Sequence, residues 1–472
     1  MFEISGNISI DGSDGDLLRE LLGVYRDRYQ RNVTRSVYYE GENALKDFGV
    51  SVPPALSGFG GALSWVEQGI SALVDRSNLE GFVAPGMVDD PFELEGILAE
   101  NDFYNEFNQA SRSSAIHACS FLVVAEGDTE AGEPSVLVMP RAADACAAVW
   151  DRRRRGLRGF LSVADVDDMG LPSEMSMMTP EKVVTLTKRP SGKWSVESRR
   201  HDQGEVTVSP LVYRPSLSKP LGSSRITRAS MYYVDAALRT MIRAETNAEL
   251  YASPQYWLFG ADQGAFQGDR WKAVMGRMFA ISNNEEGDTP SVQRFEAGSP
   301  QPYIEQLRMW ATMFAGDQGM SVSSMGIIQD NPSSAEAIYA AKEDLIIDTR
   351  KANQSWGNGA AKALQFAARI RDGVREAPAE MRELSAQFTD PAVVSPSAAA
   401  DAFQKRSQVI PGLAETEVGL EMAGLTREQI TRFKSEQTRA QAGSRIHELL
   451  AGRRNAAPQE APEPEPDPEG EQ

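Results

Sequence analysis

The stretch 318–346, "QGMSVSSMGIIQDNPSSAEAIYAAKEDLI", joins two kinds of sequence. Its first half is Gly, Ser and Met with little to bury. Its second half opens a run of helix formers after Asn331 and Pro332. Ser333 and Glu336 form an S-x-x-E pair, in which hydroxyl and carboxylate cap the first unpaired backbone amides reciprocally. Ile338, Ala341, Leu345, Ala352, Trp356, Ala360, Leu364 and Ala367 then recur every three or four residues. A helix is therefore expected from 333 to about 372, roughly 60 Å long at the usual rise. Gly357 and Gly359 interrupt it and are read as a kink.

Upstream, "SPQPYIEQLRMWATMFAG" carries Pro302 in its first turn, continues through Ile304, Leu307, Trp310 and Phe314, and stops at Gly316. Before that, a second helical run follows Gly222, with Ile226, Tyr233, Ala237, Met241, Ala248 and Tyr251 on about one face. Ser223 or Ser224 caps it and Pro254 ends it. The two helices flank a small module, 254–299, of mixed apolar and turn content. The first 222 residues hold helices at 15–31, around 65–74 and at 91–118. Short strands follow: "CSFLVVAEGD", "SVLVMP", "GFLSVAD", "KVVTLTKRPSGKWSVESRR" with a turn at "RPSGK", and "EVTVSPLVYRP". Residues 395–450 read as helical again. The end, "PQEAPEPEPDPEGEQ", alternates Pro with acid and is expected to be disordered. The fold class this implies is α+β, mainly helical.

A length of 472 residues suggests roughly three domains of about 150 residues. Hydrophobic residues at 41% and charged residues at 24% suit a globular protein with sizeable cores. The net charge of −19 argues against a dedicated nucleic-acid gripper, which needs a Lys/Arg face. Its six acidic tail residues leave about −13 on the remainder, so the acidity is not a tail artefact. Two cysteines make no disulfide framework, no signal peptide opens the chain, and no window is apolar enough to span a bilayer. We expect synthesis in a reducing cytoplasm.

Motifs for chemistry are scarce. There is no phosphate-binding loop, and the "SGK" at 191–193 lies in a hairpin turn. His117 and Cys119 form an H-x-C pair without a second ligand cluster, so it reads as a helix end packed on a strand. Gly260, Gly264 and Gly268 read as turns. The basic run Arg152–Arg155 with Arg158 reads as a solvated strand entrance. No catalytic residue, metal site or cofactor is expected.

The order of parts resembles the portal protein of tailed double-stranded-DNA bacteriophages, in the branch found in siphophages. The resemblance runs from about residue 15 to 440 and rests on "VYYEGENAL", "AETNAELYASPQYWLFGAD", "MGIIQDNPSSAEAIYAAKEDLI" and "LEMAGLTREQITRF" in that order. It implies a wing at 1–222, stem helices at 223–253 and 300–316, and a clip at 254–299. A tunnel loop at 317–332, a long wing helix at 333–373, a helical crown at 374–450 and a tail at 451–472 complete the division.

Members of that family form a ring, usually of about twelve subunits, at one capsid vertex in the virion. By resemblance the ring nucleates head assembly with scaffold and major capsid protein. It also docks the terminase large subunit and later a head–tail adaptor, and conducts double-stranded DNA. The tunnel loop would present Asp317, Gln318, Met320, Ser321, Ser323, Ser324 and Met325 to DNA. Gly316, Gly319 and Gly326 would permit its excursions, and Met would give uncharged adaptable contact. In the clip, Arg270, Lys272 and Arg277 would meet the motor or adaptor. The alternative is another phage head component, minor or scaffold-like, without a channel.

Overall fold

The computed structural model describes residues 8, 10, 12–43, 61–87, 90–252, 256–259, 291–294, 299–327, 342–392, 396–425 and 429–442. The capping pair Ser333 and Glu336, the glycines 260, 264 and 268, the three clip cations and the acidic tail lie outside them. Two compact units emerge, Met1–Pro391 and Ala392–Gln472.

In chain order the first unit begins with α1 (Ser13–Glu40), α2 (Trp65–Val74), β1 (Leu79–Val83), α3 (Glu95–Glu100) and α4 (Phe103–His117). Eight strands follow: β2 (Cys119–Glu126), β3 (Val136–Ala142), β4 (Cys146–Asp151), β5 (Gly156–Val166), β6 (Pro172–Met178), β7 (Lys182–Lys188), β8 (Trp194–Arg200) and β9 (Val208–Val212). Helix α5 (Arg228–Ala252), strands β10 (Tyr256–Phe259) and β11 (Ser291–Arg294), and helix α6 (Gln301–Asp317) come next. Helix α7 (Glu343–Arg371) and strand β12 (Ser385–Phe388) close the unit. The second unit carries α8 (Pro396–Val409), α9 (Glu417–Met422) and further helix at 429–442.

Strand alternation decides the layering, because successive side chains point to opposite faces. Strands β3, β2 and β9 form one antiparallel sheet, and β4 to β8 form a five-stranded meander. In β2, Leu122 and Val124 join the helical core with Leu73, Phe107, Trp356 and Leu364. Their neighbours Phe121 and Val123 instead meet Ala148, Phe160 and Met178 of the meander. The meander's opposite face, with Leu161, Met175, Met177 and Leu186, packs on Leu18, Leu21 and Tyr25 of α1. Helices, small sheet, meander and α1 are thus stacked, each sheet apolar on both faces. The turn expected at "RPSGK" joins β7 to β8, with Arg189 N–H donating to the Lys193 carbonyl at 2.8 Å.

Two expectations are corrected. The helix read over 91–118 is broken: α3 ends at Glu100, and α4 starts after Asp102, which sits at φ 46°. The break places Asn101 against β3. Its side chain donates to the Val136 carbonyl and accepts from Val138 N–H, at 2.9 and 2.8 Å. The kink read at Gly357 and Gly359 is absent, and α7 is one unbroken helix. These glycines serve packing instead. A Cβ on Gly359 would lie 2.7 Å from the Pro210 carbonyl oxygen, and one on Gly357 would lie 3.0 Å from Ala386 and Phe388. Ser209 Oγ donates to the Gly359 carbonyl at 2.6 Å, which closes helix on strand.

Candidate functional site

Helices α5 and α6 run antiparallel. Trp310 stacks on Tyr233 at 6.3 Å between ring centroids, and Thr227 at the start of α5 donates to Asp317 at the end of α6. Ser224 does not cap α5 directly; its hydroxyl donates to the Ile116 carbonyl and fixes the chain ahead of the helix. From Asp317 the chain turns through Gly319 at φ 61°, and a short 3-10 turn, Val322–Met325, ends at Gly326 with φ 75°. Both are left-handed positions that favour glycine. Gly316, by contrast, is helical.

Among the seven residues expected to face DNA, Gln318 and Met320 are only 4% and 8% exposed, so both face the protein interior. The reason is hydrogen bonding. Gln318 Nε2 donates to the Arg225 carbonyl and to Asp317 Oδ2, at 3.3 and 2.8 Å. Met320 N–H donates to the Ala315 carbonyl at 2.8 Å. Asp317, Ser321 and Met325 are half-buried, Met325 against the helical core. Ser323 and Ser324 are exposed, and the Ser321 hydroxyl bonds both of theirs, at 3.0 and 2.7 Å. The accessible part of the segment is therefore a small hydroxyl-rich tip.

What holds this tip was not foreseen. Arg225 is 1% exposed and gathers four elements. Its Nε donates to the Gly69 carbonyl of α2 at 2.9 Å and its Nη2 to the Gln318 carbonyl at 2.6 Å. Its Nη1 donates to Asp348 Oδ2 of α7 at 2.6 Å and to Tyr213 Oη, just after β9, at 3.0 Å. Asp348 also accepts from Tyr213 Oη at 2.7 Å and from Arg214, on both oxygens, at 3.2 and 2.9 Å. Burial alone would push the Asp348 carboxyl up. The Tyr213 hydroxyl with the Arg214 and Arg225 guanidiniums outweighs it and holds the carboxyl below its ordinary range. Beside this cluster lies a groove of about 680 Å³ between Pro215 and Lys351. The signal in the sequence was weak: Asp348 follows the apolar "LII" on the side of the helix that carries Leu345, Ala352 and Trp356, but Asp344 and Arg350 stand close by.

The outward face of α6 is mixed, with Met309 and Met313 exposed beside Glu305, Arg308 and Thr312. Met309 and Met313, one turn apart and turned away from buried Ala311, Phe314 and Ala315, are 43% and 47% exposed. On α5, Tyr232 is 55% exposed and meets Trp310 edge-on. Elsewhere, His117 uses both ring nitrogens on the Ser113 and Ser36 hydroxyls, and Cys119 and Cys146 are buried free thiols. Arg152–Arg155 form the exposed turn between β4 and β5, where Asp151 accepts from the Arg153 and Arg154 amides. Among the described residues, no helix is long and apolar enough to cross a membrane.

Comparison with known proteins bears on this arrangement. The family profile described as "Phage portal protein, SPP1 Gp6-like" matches residues 21–443. The chain is 25% identical over 437 residues to a portal protein of Mycobacterium phage D29, covering 89% of this chain and 88% of that one. It is 25% identical over 399 residues to a portal protein of Mycobacterium phage L5, covering 82% and 80%. A solved structure titled "Neck of native GTA particle computed with C12 symmetry" is similar at TM-score 0.45 and 15% identity, covering 83% of this chain and 98% of that one. The chain belongs to the SPP1 Gp6-like family of phage portal proteins.

Proposed function

We propose that this portal-family chain assembles into a ring of about twelve copies at one capsid vertex. Double-stranded DNA would pass through its centre during packaging and ejection. The observation that carries the ring is the pair Met309 and Met313, one turn apart and exposed among polar neighbours on a helix whose other side already packs on its own core. A second copy of the same helix pair would cover these two side chains, and Tyr232 beside them. The net charge of −19 suits a conduit, since duplex phosphates are repelled rather than held. Ser323 and Ser324 would line it with weak, exchangeable hydrogen bonds, in place of the cations that grip phosphate.

In this reading the wing, stem, clip, tunnel-loop and crown divisions drawn from the sequence remain the working map. Arg270, Lys272 and Arg277 would meet the terminase large subunit or the head–tail adaptor. Scaffold and major capsid protein would be partners at assembly, and the virion vertex its final location. The test is negative-stain imaging with native mass on the full chain, alone and with scaffold and coat protein. Rings around an open hole are expected. A monomer under both conditions would overturn the reading. Met309→Glu with Met313→Glu is expected to leave the monomer's thermal unfolding unchanged and abolish rings at concentrations where the unsubstituted chain assembles.

A further inference from the structure

Arg28, Arg31 and Arg35 of α1 follow one another at helical spacing and, with Lys219, line a cavity of about 360 Å³. Val24, Trp150 and Leu221 give it apolar walls. No carboxylate is among its lining residues. Among the described residues, none of the three arginines has an ion pair, and Arg35 donates only to the His117 carbonyl, at 3.0 Å. Burial, then the neighbouring Arg31, pushes the Arg35 guanidinium down to about 10; burial and Arg28 lower Arg31 as well. Of the acids close by, Asp144 lies 3.8 Å from His117 Nε2, and Asp27 precedes Arg28 on α1 with no ion pair to the three arginines among the described residues. Like charges held together against apolar walls are costly unless an anion joins them, and in a chain of net charge −19 this grouping is conspicuous.

The turn between β5 and β6 has the opposite character. Asp167 builds it from within. One carboxylate oxygen accepts from the Met169 and Leu171 amides at 3.1 and 2.9 Å, and the other takes Lys188 Nζ at 2.9 Å. With Asp167 so occupied, the turn offers exposed Asp168 and Met169, the latter at 83% exposure, and the end of β5 beside it offers exposed Asp165 and Val166. A shaped knob of acid and thioether thus stands on the same chain as a cavity of guanidinium and apolar wall. Within one copy, no ion pair joins them among the described residues.

We infer that the β5–β6 knob of one copy seats in the α1 cavity of its neighbour, with Met169 against the apolar walls and Asp165 and Asp168 on Arg28, Arg31 and Arg35. Knob and cavity are different surfaces, so the contact is head-to-tail, the kind that repeats around a ring when its rotation closes. It rests on the ring reading and adds a contact between neighbours remote in sequence from the methionines of α6.

Charge exchange tests it on the full chain, with assembly read by native mass across a concentration series. Asp165→Lys with Asp168→Lys, and separately Arg28→Glu with Arg31→Glu, are expected to raise the half-assembly concentration by on the order of tenfold or more. The fourfold combination is expected to bring it back. Rings from both doubles at the unsubstituted chain's concentration, or a combination no better than its parents, overturn the contact and leave the ring standing. An unsubstituted chain that never assembles overturns both. A second measurement does not depend on charge. Arg28→Cys with Met169→Cys, oxidised as assembled rings, is expected to give a ladder of linked subunits on a non-reducing gel. Native Cys119 and Cys146 add little background, because burial pushes both thiols up to about 12. Monomer alone on that gel overturns the contact.

Discussion

Asp348 carries more of this structure than any residue singled out from the sequence. One carboxylate receives Tyr213, Arg214 and Arg225, and so ties α7 to the strand end after β9 and to the chain entering α5. A buried ion pair is weak evidence of net stability, but removing one partner strands the other in a dry site. Asp348→Ala is therefore expected to cost about 3–5 kcal/mol in urea unfolding at neutral pH, because among the described residues Asp348 is the one carboxylate that Arg225, at 1% exposure, bonds. The pH dependence has a definite sign. The folded carboxyl titrates below its unfolded value, so its contribution is complete above the ordinary carboxylate range and is lost as pH falls through the folded value. Lowering the pH from 7 to below about 4 should cost the unsubstituted chain more stability than it costs Asp348→Asn, measured by urea unfolding at both ends. An equal loss in both would sink this account. In the sequence Asp348, between "LII" and "TRK", looks like an ordinary helix-surface acid, and nothing there names its partner. Arg225 lies 123 residues away along the chain.

Helix α7 was legible as an element, and its glycines were misread. A mid-helix glycine is destabilising relative to alanine by about 1 kcal/mol, so its presence demands a reason. The sequence admits a kink or a close approach, and the structure has the close approach. The two readings differ in a measurable way. If flexibility were the purpose, alanine at either position would stabilise. Here Gly359→Ala is expected to cost about 1–3 kcal/mol, because its Cβ meets a backbone carbonyl of Pro210 at 2.7 Å that cannot turn aside. Gly357→Ala meets the Ala386 methyl and the Phe388 ring edge at 3.0 Å, which yield more easily, and the gain in helix propensity offsets much of the cost. Thermal unfolding of the two single variants checks the order. The break between α3 and α4 follows the same logic, since Asn101 leaves the helix to satisfy β3.

In the whole molecule, layering replaces any single core. The helical cluster, the sheet-to-sheet cluster and the cluster under α1 all draw on residues no later than Phe388, consistent with a first unit ending at Pro391. A chain stopped after Pro391 is expected to unfold cooperatively, with stability within about 1 kcal/mol of the full chain, since no side chain of those clusters is removed. Loss of cooperative unfolding in calorimetry would contradict this. Strand β12 pairs with β1 across some three hundred residues, Phe388 opposite Leu79 and Ser385 opposite Val83. The last strand of the unit is therefore tied to its first, and truncation before 385 is a different experiment from truncation after 391.

The sequence by itself determined the helices around 15–31, 65–74, 228–252 and 301–317, the run of strands from 119 to 212, the hairpin at 189–193, the long amphipathic helix and the family resemblance, but not β1, β12 or the break at Asn101. Each feature so determined is written in local periodicity, turn residues or ordered motifs. It also determined the acidity that argues against a phosphate grip. Only the tertiary structure decided which residues of the 317–327 segment face outward, because that depends on a buried arginine and a carboxylate reaching it from other elements. Periodicity reports which side of a helix or strand is apolar. It does not report what that side meets, and partners such as Arg225 with Asp348, Gly359 with Pro210, or β1 with β12 are chosen by packing across long stretches of chain.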